Sequence, residues 1–83
     1  MSKPVTLWQL RKALDEFGFE SQESRGHVIF RHSETGVVVT APSTEPTVRR
    51  IYVSTAARQI ANSGIATASS FERRLERAAK EAG

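Results

Sequence analysis

The chain contains two histidines, His27 and His32, and no cysteine. An imidazole exchanges protons near neutral pH, so histidine is the side chain best suited to general acid–base work. His27 follows Gly26, and on an extended chain it shares a face with Arg31. A glycine lets a phosphate backbone approach closely, a guanidinium holds phosphate oxygens, and an imidazole beside a 2′-hydroxyl moves its proton. These are the parts that a metal-independent ribonuclease uses. The plain alternative is that His27 is a polar residue on a solvated strand face. The two histidines stand five residues apart, an odd spacing that sends them to opposite faces of a strand. They cannot jointly clamp a metal, and without cysteine neither thiolate zinc sites nor disulfides are possible. No cofactor and no metal are expected.

Charge concentrates around the same region. The 83 residues carry 12 Lys and Arg against 9 Asp and Glu, a net charge of +3, and nine of the cations are arginines. Between residues 25 and 58 stand Arg25, Arg31, Arg49, Arg50 and Arg58, opposed only by Glu34 and Glu45, so this segment holds the whole excess. Such a cluster suits phosphate contacts with salt-dependent affinity, the alternative being a solvated basic rim. Arg25, Gly26, Arg31, Arg49, Arg50 and Arg58 are therefore the candidate nucleic-acid-binding residues, with Trp8 and Tyr52 as candidate stackers. The alternating run Arg73-Arg74-Leu75-Glu76-Arg77 reads as an exposed helix face. A 39% hydrophobic and 25% charged composition is that of a globular domain and excludes an acidic, solvating disordered chain. The run Val37-Val38-Val39 falls far short of the ~20 residues that span a bilayer. The start Met1-Ser2-Lys3-Pro4-Val5-Thr6 has no apolar signal core. One small soluble domain, cytoplasmic and without membrane contact, is expected.

Several elements must position these residues. Leu7, Leu10, Leu14 and Phe17 form one apolar stripe, Thr6 and Gln9 have capping-box spacing, and Gly18 suits a left-handed C-terminal cap. The pattern predicts a helix over 6–17, with Phe19 folding back on Leu14. From Gly26 to His32 the period becomes two: Val28 and Phe30 face one way, His27, Ile29 and Arg31 the other. Ser33-Glu34-Thr35-Gly36 reads as a turn and Val37-Val38-Val39-Thr40 as a second strand. Phe19-Glu20-Ser21 adds a third, because two strands alone are marginal. Pro42 and Pro46 break regular structure. The next helix starts either at Thr47 or, as the β-branched Val53 and Thr55 favour, after a cap at Ser54 or Thr55, ending at Gly64-Ile65. A last helix follows, with Ser69 and Glu72 at capping-box spacing, a stripe of Phe71, Leu75, Ala78, Ala79 and Ala82, and a Glu76–Lys80 pair. A sheet with one apolar face takes helices on that face only. The fold class is α+β: a small two-layer domain in α-β-β-β-α order, with an additional C-terminal helix.

The helix ending in Phe17-Gly18-Phe19, the strand Arg25-Gly26-His27-Val28-Ile29-Phe30-Arg31-His32, the valine strand ending before Pro42, and the Thr55 to Gly64-Ile65 helix together resemble the HicA (YcfA-like) mRNA interferase toxins. The resemblance covers about residues 7–65. It implies a double-stranded-RNA-binding-like fold, metal-independent RNA cleavage with His27 as the catalytic histidine, and a HicB-like antitoxin covering the His27 face. The chain departs from the family pattern in several places. Arg25-Gly26 replaces the usual Gly-Ser, and Val28 replaces a second histidine. Pro42-Ser43-Thr44-Glu45-Pro46 stands where a histidine-bearing segment is usual, and Ser54 stands for a glycine. By this reading residues 1–65 form the HicA-like domain and 66–83 a helical extension of it. Ile29, outward beside His27, calls for cover from a partner or from the last helix.

The expected function is thus RNA (mRNA) binding and cleavage, with His27 as general acid or base. Alternatives are a non-catalytic nucleic-acid- or protein-binding module on the same scaffold, and an assembly protein with Phe71, Leu75 and Ala79 as its seam.

Overall fold

The computed structural model describes residues 4–82, without the Ala82 side chain. Its elements run β1 (Val5–Thr6), α1 (Leu7–Glu16), β2 (Phe19–Ser24), β3 (His27–His32), β4 (Val38–Pro42), β5 (Thr47–Val48), α2 (Arg50–Asn62) and α3 (Ala68–Ala82). The expected α+β order of helix, three strands and further helices is what the chain adopts. The start of α1 is fixed by both halves of the capping box. The Gln9 amide donates to Thr6 Oγ1 at 3.0 Å, and the Thr6 amide donates to Gln9 Oε1 at 3.2 Å. At the other end Gly18 takes φ +93°, and its amide donates to the Asp15 carbonyl at 3.0 Å. A Cβ here would meet the His32 ring at 3.4 Å, so the positive φ is what holds this position to glycine.

The three-stranded sheet is antiparallel, in the order β2-β3-β4. Val28, Phe30 and His32 point from β3 into the interior, while His27 and Arg31 are exposed and Ile29 is half-buried on the other face. The strand expected over Phe19-Glu20-Ser21 runs further than Ser21. It continues as far as Ser24, because each residue to that point has a partner on β3. Only Phe19 of that strand is buried.

Helices cover one face of the sheet. Leu10, Ala13 and Leu14 from α1, Ala56 and Ile60 from α2, and Phe71 and Leu75 from α3 form one core with Phe19, Val28, Phe30, Val39, Ala41 and Val48. A short pairing of β1 with β5, Val5 opposite Val48, ties the chain before α1 to the chain before α2. Neither two-residue strand has a sequence signature.

Two expectations about the helices are corrected. The second helix starts at Arg50, neither at Thr47 nor after Ser54 or Thr55. Residues 47–48 are drawn into β5, and the helix begins at Arg50, after Arg49 as its N-terminal cap. Ser54 and Thr55 are interior residues, and the Ser54 hydroxyl is satisfied by donating to the Ile51 carbonyl at 3.2 Å. Their propensity penalty is a few tenths of a kcal/mol each, small beside burying Ala56 and Ile60. The cap of the last helix is Thr67, whose Oγ1 accepts the Ser70 amide at 3.1 Å, in place of Ser69.

The third helix is part of the core. Phe71 lies 6.3 Å from Phe17 between ring centroids, Gln9 Nε2 donates to the Leu75 carbonyl at 2.6 Å, and Arg74 pairs with Glu16. Because Phe71 and Leu75 are buried inside the chain, they cannot also form an intermolecular seam, and the assembly reading loses its basis. Of the rest of that stripe, Ala78 is buried and Ala79 exposed, and the Ala82 side chain lies outside the described residues. This helix packs on α1 and α2. It therefore does not provide the cover for Ile29 on the opposite face of the sheet.

Candidate functional site

The open face of the sheet consists of three cross-strand rows. Ser24, His27 and Pro42 make the first, Gln22, Ile29 and Thr40 the second, Glu20, Arg31 and Val38 the third. His27 is exposed at the end of the sheet where β2 turns into β3. Arg31 shares its face, as alternation requires, but lies two rows along, about 13 Å away at ~3.3 Å per residue.

The connection beneath His27 is a two-residue hairpin turn. Arg25 has φ +49° and Gly26 φ +83°, the pair of left-handed residues that a type I′ turn demands. Gly26 is confined twice over. Its backbone is left-handed, and a Cβ there would come within 3.3 Å of Thr44 Cγ2. The Ser43 amide donates to the Gly26 carbonyl at 2.7 Å and extends the β3–β4 ladder past Pro42. The tip thus brings Ser24, Arg25, Gly26 and His27 beside Pro42, Ser43 and Thr44.

His32 has the opposite environment. It is 9% exposed, and its ring packs 5.1 Å from that of Phe19. Its Nδ1 accepts the Thr35 amide at 3.3 Å and lies 2.9 Å from Thr35 Oγ1. With Nδ1 accepting, the neutral ring carries its proton on Nε2. Thr35 Oγ1 in turn accepts the Val37 amide at 3.3 Å. This histidine closes the turn between β3 and β4. Among the described residues no three His, Cys, Asp or Glu side chains gather as a metal ion would need.

The other sequence-derived arginines do not converge on His27. Arg49 is the residue before α2 and its side chain makes no capping hydrogen bond, while Arg58 is exposed on that helix. Arg50 lines a groove of about 940 Å³ in the helical layer. Val5, Val48, Val53, Ala57 and Leu75 give this groove apolar walls, with Glu72, Glu76 and Lys80 also lining it. No sequence signal marked it, because its walls come from five elements far apart along the chain. The charge cluster that looks continuous along the sequence is therefore divided: Arg25 and Arg31 belong to the sheet, Arg49, Arg50 and Arg58 to α2 and its start. Trp8 is 47% exposed on α1, open to a stacking partner but on a different element from His27.

Compared with protein-family models, curated proteins and solved structures, the chain matches none at a significant level.

Proposed function

We propose that this domain binds RNA on the open face of its sheet and cleaves it at the hairpin tip, as a divergent HicA-like mRNA interferase acting in the cytoplasm. The observation that carries this reading is the placement of His27. Of the two histidines, it is the one presented to solvent on a helix-free sheet face, on a tip braced by the Gly26–Ser43 hydrogen bond. In the proposed reaction the His27 imidazole takes the proton of a ribose 2′-hydroxyl while that oxygen attacks the adjacent phosphorus. The bond from phosphorus to the 5′-oxygen breaks, and the departing oxygen gains a proton from water. The products are a 2′,3′-cyclic phosphate and a 5′-hydroxyl end. Arginines hold the non-bridging oxygens, and no step calls for a metal. Ile29 and the exposed Val38 on the same face offer apolar contact to a HicB-like antitoxin.

A second reading, a nucleic-acid-binding module without cleavage, is favoured by one observation. The row containing His27 holds only Ser24 and Pro42, so no second proton-transfer side chain stands opposite it. Incubating the wild type and His27→Ala with RNA in the presence of EDTA separates the two. Cleavage that disappears in the variant supports the nuclease. RNA retention by both proteins with no cleavage by either replaces it with the binding module.

A further inference from the structure

We propose that Arg25 is kept in its left-handed backbone conformation for the sake of its guanidinium, which grips at the hairpin tip the RNA phosphate beside His27. This rests on the RNA-acting reading above and assigns the phosphate-binding group of that site. The first central position of a type I′ turn is the place for Asn, Asp or Gly, because a Cβ in the left-handed region crowds the following carbonyl oxygen. Here it is filled by a long arginine at φ +49°. Among the described non-glycine residues it alone has a positive φ.

Nothing within the fold accounts for that choice. Arg25 is exposed, and its guanidinium makes no hydrogen bond or ion pair among the described residues. The backbone disfavours the side chain and the side chain returns no internal contact, so its role lies with something outside the chain. A fork of donors at the end of a rigid hairpin suits a phosphate, which it engages through two parallel hydrogen bonds. Of the five arginines in the basic segment, Arg25 is the one in the turn that bears His27. Arg31 stands two rows away, and Arg50 lines the groove among the helices. The brace from Ser43 to Gly26 holds the tip in place before a ligand arrives.

Two variants test the assignment, with a short fluorescein-labelled single-stranded RNA as probe and the full chain as protein. Arg25→Asn creates the Asn-Gly pair that type I′ turns favour. It is expected to raise the melting temperature by about 4 °C while weakening RNA binding about tenfold at low salt. Arg25→Gln keeps the crowded backbone and removes the charge and the donor fork, so it is expected to weaken binding equally at an unchanged melting temperature. In both, the slope of log affinity against log salt becomes shallower by about 0.7, one phosphate contact on a single strand. Full RNA affinity in either variant overturns the assignment, as does a lower melting temperature for Arg25→Asn, which would make the guanidinium a structural group. A wild type that does not bind the RNA overturns both this assignment and the reading it rests on. Wild-type cleavage abolished by His27→Ala but untouched in Arg25→Asn overturns this assignment alone.

Discussion

β3 begins with one histidine and ends with another, and the two ends of this strand have little else in common. His27 stands exposed over a type I′ turn, in a row with a serine and a proline. His32 is packed on Phe19 and hydrogen-bonded through Nδ1 to Thr35. The separation follows from parity: residues an odd number apart on a strand occupy opposite faces, and only one face of this sheet carries helices. The strand thus assigns one imidazole to the fold and presents the other. Identical side chains therefore need not share a role, because the face of the sheet decides before any chemistry does.

The comparison breaks if the two histidines prove interchangeable. His27→Ala is expected to lower the rate of RNA cleavage by about 100- to 10,000-fold, the usual contribution of a positioned acid–base group. Its thermal unfolding should change by no more than about 0.5 kcal/mol, as for a surface substitution. Initial rates on a quenched fluorescent RNA, with melting curves on the same samples, check both halves. A variant that loses activity because it melts early would erase the distinction.

His32→Ala should show the reverse pattern. The substitution empties a site beside Phe19 and removes the acceptor for the Thr35 amide. A cost of about 2–3 kcal/mol is expected from the lost packing and the unsatisfied donor. Urea denaturation would measure it. Cleavage by the folded fraction should stay at the wild-type rate, since the side chain lies beneath the sheet. A loss of turnover in protein still shown to be folded would mean that His32 reaches the reaction.

The same contrast between faces can be drawn with apolar residues. Phe30 is fully buried and Ile29, its neighbour in the chain, is half-buried on the open side. Truncating Phe30 to alanine is expected to cost about 3–5 kcal/mol, enough to unfold much of a domain this size. Ile29→Thr keeps the β-branch and should cost less than about 1 kcal/mol. Circular dichroism melts of the two variants compare them directly, and equal losses would mean that the open face is covered in the isolated chain.

Much of this contrast is legible in the sequence, and particular residues show why. The odd spacing of His27 and His32, the alternation through Val28 and Phe30, and the Thr6–Gln9 box are local signals, readable because period and capping act within a few residues. The start of α2 is not local. It depends on Thr47 and Val48 being drawn against β1, and on Ala56 and Ile60 reaching the core, so weak propensities at Val53 and Thr55 pointed the wrong way. The basic segment misled for a related reason: proximity in sequence joined Arg25 and Arg31 to arginines that α2 carries to another layer. The left-handed backbone of Arg25 was hidden too, because an Arg-Gly pair does not announce a type I′ turn as Asn-Gly does.

The smallest test concerns the polar link that holds His32. Thr35 Oγ1 lies 2.9 Å from His32 Nδ1 and accepts the Val37 amide at 3.3 Å, so one hydroxyl joins the buried ring to the residue before β4. Thr35→Val keeps the shape and β-branch but removes that atom. Thr35 is itself exposed, so water can take over part of its bonding, and the expected cost is about 1 kcal/mol. The Thr35 amide still reaches Nδ1, which should keep the ring in place and leave cleavage at the tip unaltered. Amide exchange at Val37 is the sensitive readout: its protection should fall while that of Phe30 at the strand centre changes only with global stability. If Val37 protection stays at its wild-type value, the hydroxyl is not what fastens this turn, and Phe19 packing together with the amide bond would be sufficient to hold His32 inside.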